Sequence, residues 1–223
     1  MKTSSILGAL FAFVLSTQAF AVSGSYCDDI TRLDNLWRLT SDQFKNAFID
    51  GQKIDRMVVS KDRRILYALN DDVVIKSYRV AFGSSPFGHK QFEGDQKTPE
   101  GVYIIDSKNP NSKFYKALHV SYPNKQDREY AKSKGRSPGG DIMVHGLPVD
   151  PNKRSLVEFV HPGFNWTAGC IAVTDSEIDE LYKMVDRGVT IEICKMTPAP
   201  IPPPIDPGEE GESGGGSIYL PGK

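Results

Sequence analysis

The stretch GDQKTPEGVYIID, from Gly94 to Asp106, combines a turn with the beginning of a β-strand. Its first residues are glycine, charged and polar side chains, which favour a turn around Asp95. Residues 98–101 have the pattern of a strand start, and the β-branched and aromatic residues that follow extend the strand to Ile105. A turn that leads directly into a strand is therefore expected near the middle of the chain.

Similar short runs of β-branched and aromatic residues occur on both sides of this stretch. They predict strands at residues 57–59, 65–69, 73–80, 101–105, 117–121, 141–145 and 189–193. Helical spacing of apolar residues predicts one or two short helices within residues 28–48. A further helix is predicted after Thr174, which forms a capping box with Glu177, and we expect it to stop at Gly188. The fold class is therefore mainly β with a few helices (α+β).

Composition narrows the possible functions. The chain has 223 residues, 39% of them hydrophobic, so a packed globular core is expected. Lys+Arg number 27 against 28 for Asp+Glu, and a chain without basic excess lacks the electrostatic footprint of a nucleic-acid binder. The negative mean hydropathy argues against a protein with several membrane spans.

The amino terminus has the pattern of a secretory signal peptide. Lys2 precedes an apolar run at residues 6–15, and Ala19 and Ala21 form an A-x-A cleavage pattern. The prediction is a signal peptide at 1–21 and a mature chain that begins at Val22. An uncleaved anchor is the alternative, but the apolar run is short for a span of about 20 residues.

The mature chain divides into three parts. Residues 22–52 are predicted to be an N-terminal helical segment, 53–196 the main domain and 197–223 a disordered tail rich in proline and glycine. The tail is either simply solvated or a spacer that ends in the apolar residues 218–220. Export implies an oxidising compartment, where a disulfide between Cys27 and Cys194 would leave Cys170 free. Sequence alone does not fix the pairing of three cysteines.

Two segments carry candidate chemistry. IMVHGLP (142–148) places His145 at the end of a strand, and NWTAGCIAV (165–173) places Cys170 after a small turn. A thiol is a strong nucleophile as a thiolate, which a nearby imidazole promotes, and N–H groups beside it can hold an oxyanion. On spacing alone, a buried inert cysteine and a core histidine remain the alternative. The spacing of these residues with His161 does not match a catalytic zinc site.

The order of several motifs resembles one family. Gly83 with Lys90, then GDQKTPEGVY (94–103), VHG (144–146) and WTAGC (166–170) together resemble the L,D-transpeptidase (YkuD-type) catalytic domain over about residues 53–193. In the commoner family pattern, Ser/Thr-His-Gly-Cys, a histidine stands two positions before the cysteine and an arginine two positions after it. Here Ala168 replaces that histidine and Ala172 replaces that arginine. The WTxGCIAV variant is similar to a Gram-negative murein L,D-transpeptidase branch, which includes a member that releases lipoprotein from peptidoglycan.

The resemblance implies a β-sandwich or barrel with the cysteine in a cleft. Cys170 would be the nucleophile and His145 the general base and acid. The carbonyl of Gly146 would orient the imidazole, and the N–H groups of Gly169 and Cys170 would hold the oxyanion. No metal or cofactor is implied. The residues expected to bind substrate are Lys90, Lys97, Tyr103, His161, Trp166 and Thr167.

The resemblance also implies a substrate and a location. The cysteine would attack the third residue of a peptidoglycan stem peptide, release D-alanine and pass the acyl group from a thioester to an amine. The alternatives are a hydrolase that releases lipoprotein or trims stem peptides, and a non-catalytic peptidoglycan-binding module. The expected partners are stem peptides and a peptidoglycan-linked lipoprotein, without nucleic acid or a membrane span after signal cleavage. The expected location is the periplasm, facing the cell wall.

Overall fold

The computed structural model describes residues 25–196, so the predicted signal peptide (1–21) and tail (197–223) lie outside the described residues. A short 3-10 helix at Ile30–Asp34 precedes the first α-helix. The α-helices are α1 Ser41–Ile49, α2 Lys125–Ser133, α3 Pro151–Val160 and α4 Asp175–Met184. The strands are β1 Ile54–Ser60, β2 Ile65–Asn70, β3 Val73–Arg79, β4 Gly101–Ser112, β5 Tyr115–Val120, β6 Met143–His145, β7 Ile171–Ala172 and β8 Val185–Cys194.

The eight strands form one sheet in the order β3-β2-β1-β8-β4-β5-β6-β7. Five of the seven neighbouring pairs are antiparallel, and β1–β8 and β6–β7 are parallel. The prediction of a mainly β fold with a few helices is confirmed. The last strand pair matters for function, because it aligns Val144 with Ile171 and His145 with Ala172. Two segments about 25 residues apart in sequence thus meet at one edge of the sheet.

The core lies between the sheet and α4. The helix begins at Thr174 with the predicted capping box to Glu177, and it buries Ile178, Leu181 and Met184 against the strands. Each fully buried side chain of this size contributes roughly 1.5–3 kcal/mol relative to an exposed one. The same core contains Val144 of β6 and Ile171 of β7, so it also holds the β6–β7 edge in place.

One predicted boundary is wrong. Helix α4 ends at Met184, and Gly188 lies inside β8 rather than at the helix end. Strand β8 pairs with β1 at Val185 and again from Thr190, and with β4 over residues 190–193. Gly188, with φ +94, lies in the irregular stretch between these pairings, where a glycine suits a bulge.

The amino-terminal segment is joined to the last strand. A disulfide links Cys27 to Cys194 and leaves Cys170 as a free thiol, as the sequence allowed. Tyr26 is buried beside the disulfide, and its N–H donates to the Glu192 carboxylate at 2.8 Å. Within residues 25–196, no helix is both long enough and apolar enough to cross a membrane.

Candidate active site

The β6–β7 edge opens into a cavity of about 540 Å³. Because the two strands are neighbours, His145 at the end of β6 and Cys170 just before β7 both line it. Helix α3 supplies Leu156 and Val157 to the same cavity. Phe114, Trp166, Thr167 and Ala168 also line it. The structure therefore brings together the nucleophile and base that the sequence predicts, in a largely apolar surrounding.

His145 is held in one tautomer. Its ring is almost completely buried, and Nδ1 lies 2.7 Å from the carbonyl oxygen of Gly146. A carbonyl oxygen only accepts, so Nδ1 carries the proton and Nε2 has the free lone pair. Burial lowers the pKa of His145 to about 4, although the Gly146 carbonyl acts in the opposite direction. The imidazole is therefore neutral near pH 7 and able to accept a proton at Nε2.

The surroundings of Gly146 leave too little room for a side chain. A Cβ at this position would lie 2.6 Å from Oδ1 of Asp175. The same carboxylate oxygen accepts the N–H of Leu147 at 2.8 Å, and the Gly146 N–H donates to the carbonyl of Phe114 at 3.1 Å. These contacts fix the turn after β6, and with it the carbonyl that orients His145.

Cys170 is a half-buried thiol in the resting structure. Its Sγ donates to the carbonyl oxygen of Asp141 at 3.4 Å. Burial raises the pKa of Cys170 to about 11, a rise that the Met143 backbone and the Lys90 ammonium partly oppose. The resting site thus contains a neutral thiol and a neutral imidazole that line the same cavity. Such a pair becomes reactive when the base removes the thiol proton during attack.

The turn before Cys170 is closed by Thr167. Its hydroxyl donates to the carbonyl oxygen of Cys170 at 2.7 Å and accepts the N–H of Gly169 at 3.1 Å. Gly169 has φ +139, and a Cβ there would lie 2.6 Å from the carbonyl oxygen of Lys97. The Gly169 N–H therefore has to leave the Thr167 hydroxyl before it can serve as an oxyanion donor, which makes the Cys170 N–H the more accessible candidate.

The segment that the sequence singles out at 94–103 supports this turn from the side. The Asp95 carboxylate accepts the N–H groups of Gln91, Phe92 and Lys97 and forms an ion pair with Lys90 at 2.9 Å. Glu100 pairs with the buried Lys61 at 2.6 Å. Both carboxylates are thus used to fix the backbone, and the carbonyl of Lys97 in the loop between them lies against the turn before Cys170.

The six residues predicted to bind substrate fall into two groups. Trp166 and Thr167 line the cavity. His161 accepts the Nε1–H of Trp166 at 3.4 Å, and so contacts the cavity through that ring. The side chains of the other three lie elsewhere. Lys90 is buried in its ion pair, Tyr103 donates to Asp127 in the core, and the Lys97 ammonium lies near Gly88.

Sequence reasoning missed several residues of the site. Phe114 stacks on His145 with ring centroids 4.4 Å apart. Asp175 supports the turn at 146, and α3 forms part of the cavity wall. Phe114 and α3 have no local motif, and the capping box that contains Asp175 does not indicate the contact of Asp175 with the turn at 146. Among residues 25–196, no group of three or more His, Cys, Asp or Glu side chains is placed to hold a metal ion.

Comparison with known sequences finds similar proteins over the main domain. The sequence profile of the YkuD family, described as the L,D-transpeptidase catalytic domain, matches residues 54–193. YafK from Escherichia coli K12 is 31% identical over 114 residues, which make up 50% of this chain and 37% of YafK. The matched segment thus spans little more than a third of that curated relative.

Comparison with solved structures returns several proteins of low sequence identity. The helical cell shape determining protein Pgp2 from Campylobacter jejuni is 22% identical, with TM-score 0.43 over 69% of this chain and 56% of Pgp2. An L,D-transpeptidase from Mycobacterium smegmatis is 18% identical, with TM-score 0.41 over 61% of this chain and 57% of that one. Bd1075 from Bdellovibrio bacteriovorus is 23% identical, with TM-score 0.42 over 65% and 49%.

Proposed function

The chain belongs to the YkuD family of L,D-transpeptidase catalytic domains, and on that premise we propose that it is an exported cysteine acyltransferase acting on peptidoglycan stem peptides. The observation that carries this proposal is the cavity that Cys170 and His145 share. The reaction needs a nucleophile, a base with a defined tautomer and an adjacent N–H donor. It needs no metal for any of these steps.

The first half-reaction forms a thioester. Cys170 Sγ attacks the carbonyl carbon of the third stem residue while its proton moves to Nε2 of His145. The oxyanion that results accepts the Cys170 N–H, and the Gly169 N–H once Thr167 releases it. When the C–N bond breaks, the imidazolium returns its proton to the amine of the departing D-alanine. The products are an acyl-enzyme and a neutral imidazole.

The second half-reaction decides the outcome. An acceptor amine attacks the thioester carbonyl and gives a proton to Nε2, and the C–S bond breaks as the proton returns to sulfur. The product is a new amide, which links two stem peptides or attaches another amine, and remodels the cell wall. Water as the acceptor gives the hydrolase alternative, which trims a stem peptide or releases a lipoprotein.

Two observations support a periplasmic location. The predicted signal peptide at 1–21 directs export. The disulfide between Cys27 and Cys194 fits an oxidising compartment. Both observations fit the proposed substrate, because stem peptides are met on the wall-facing side of a Gram-negative inner membrane.

The test compares the mature protein, from Val22, with its Cys170→Ala variant. Each is incubated with isolated sacculi and with tetrapeptide muropeptides, and the products are identified by mass spectrometry. Dimers linked through two third residues, or exchanged D-amino acids, that are absent with the variant would support the transferase. Trimmed tripeptides or released lipoprotein remnants without dimers would support the hydrolase. Identical profiles from both proteins would contradict a catalytic role and favour a binding module.

A further inference from the structure

The imidazole of His145 lies between two aromatic rings. The ring of Phe114 stacks on it with centroids 4.4 Å apart and an interplanar angle of 29°. Trp166 meets it edge-on, with centroids 5.8 Å apart and an angle of 65°. Phe114 and Trp166 also approach each other, at 6.1 Å. The two rings therefore enclose the base on two sides, and both line the cavity that contains Cys170.

Phe114 is itself tightly positioned. It lies in the short connection between β4 and β5, where its N–H donates to Oγ of Ser112 at 3.0 Å. Its carbonyl oxygen accepts the N–H of Gly146 at 3.1 Å. The residue that stacks on the imidazole therefore also supports the turn whose carbonyl binds Nδ1. The two contacts can be separated by experiment, because a side-chain substitution leaves the main-chain hydrogen bond in place.

We propose that Phe114 is a positioning residue of the catalytic base, which holds the His145 ring in one orientation and shields it from water. The inference rests on the proposed function, in which Nε2 of His145 exchanges a proton with Cys170. The hydrogen bond from Nδ1 to Gly146 fixes one point of the ring but permits rotation about that bond. The stacked ring of Phe114 restricts this rotation, because a tilted imidazole would collide with it.

The shielding has an electrostatic consequence. Burial is the main cause that lowers the pKa of His145 to about 4, and the ring of Phe114 is part of what buries it. The titratable groups around the imidazole are His161 and Cys170 from the segment leading into β7, Lys153 from α3 and Asp175 at the start of α4. The burial thus preserves the neutral form that can act as a base.

The test uses Phe114→Ala and Phe114→Leu in the mature protein, with Phe159→Ala as the matched control. Phe159 is 88% exposed, so its substitution removes the same atoms without opening the site. Protonation of His145 is followed by NMR of histidine-labelled protein, assigned with a His145→Gln variant. The dependence of the reaction rate on pH is measured in parallel.

We expect the alanine variant to raise the pKa of His145 from about 4 toward the ordinary value of about 6.5. Its rate should then fall up to about tenfold more at pH 5.5 than at pH 8, because a larger fraction of the base is protonated. Phe114→Leu keeps an apolar wall and should show a smaller shift in both measurements. Phe159→Ala should leave both unchanged.

An unchanged titration of His145 in a folded Phe114→Ala protein, with a pH profile of unchanged shape, would overturn the proposal. If the alanine variant does not fold, Phe114→Leu decides by the same two measurements. The titration does not depend on catalysis. A wild-type protein without Cys170-dependent activity would therefore contradict the proposed function and still leave the contact between Phe114 and His145 measurable.

Discussion

The carbonyl oxygen of Lys97 lies directly against Gly169, at 2.6 Å from where a Cβ would be. This contact joins the loop at 94–103 to the turn before Cys170. The contacts of Asp95 and the ion pair between Lys61 and Glu100 fix the shape of this loop. The motif that is most characteristic in the sequence thus acts by shaping the backbone beside Cys170.

The first prediction concerns Gly169. Replacement by alanine places a Cβ against the Lys97 carbonyl at a φ of +139, which side chains rarely adopt. The strain should cost about 1–3 kcal/mol of folding free energy, and displacement of the turn should reduce turnover at least about 100-fold. Thermal unfolding and turnover are the measurements. Gly140→Ala is the control, because open space surrounds its Cβ position.

The second prediction concerns the resting state of the thiol. With the pKa of Cys170 raised to about 11, the thiolate fraction is small at pH 8 and grows about tenfold per pH unit. Alkylation by iodoacetamide should therefore be slow at pH 7 and accelerate up to about pH 11. His145→Gln should abolish turnover but change this alkylation little.

Fast alkylation at pH 6 to 7 that disappears in His145→Gln would show a thiolate–imidazolium pair and contradict the neutral resting state. The free thiol is unique among the three cysteines because the other two form the disulfide. The site of modification can therefore be read from the intact mass without digestion.

The third prediction concerns the buried ion pair beneath the loop. Lys61 is fully buried and pairs with Glu100 at 2.6 Å. Lys61→Met should cost about 3–5 kcal/mol, because it leaves the Glu100 carboxylate buried without its partner. Lys45→Met, in an exposed pair with Asp42 at 3.5 Å, should change stability by less than about 1 kcal/mol. Equal effects at the two sites in urea unfolding would refute this role of Lys61.

The fourth prediction concerns the disulfide. Cys27→Ser, or reduction of the wild type, should lower stability by about 2–4 kcal/mol, because the bridge closes a long loop in the unfolded chain. Cys170→Ala is the control. It leaves the bridge intact and should therefore not lose this stability. A reduced protein with an unchanged unfolding midpoint would argue against a structural role for the bridge.

Local patterns predicted much of the sheet. The runs of β-branched residues correspond to seven of the eight strands, and the capping box at Thr174 marks the start of α4. Strand β7 has two residues, too short for any periodic pattern. Helix α2 is strongly polar and lacks the apolar stripe on which a prediction depends. Helix α3 has apolar residues such as Leu156 and Val157, but none of its residues is buried.

The candidate catalytic pair could be predicted for a different reason. The order of the motifs indicates His145 and Cys170, whereas their placement in one cavity follows from the β6–β7 pairing. The stacking of Phe114 on His145 arises from a contact between segments that are distant in sequence. Spacing along the chain does not encode such contacts, so the surroundings of the site required the structure.

The most direct test of the account is the mass of the enzyme during turnover. The mature protein is mixed with a soluble stem tetrapeptide, quenched in acid within seconds and measured as the intact protein. We predict a population heavier by the tetrapeptide less its terminal alanine, attached at Cys170, sensitive to hydroxylamine and absent in Cys170→Ala. Continued product formation by Cys170→Ala, or turnover by the wild type through an adduct on another residue, would contradict it.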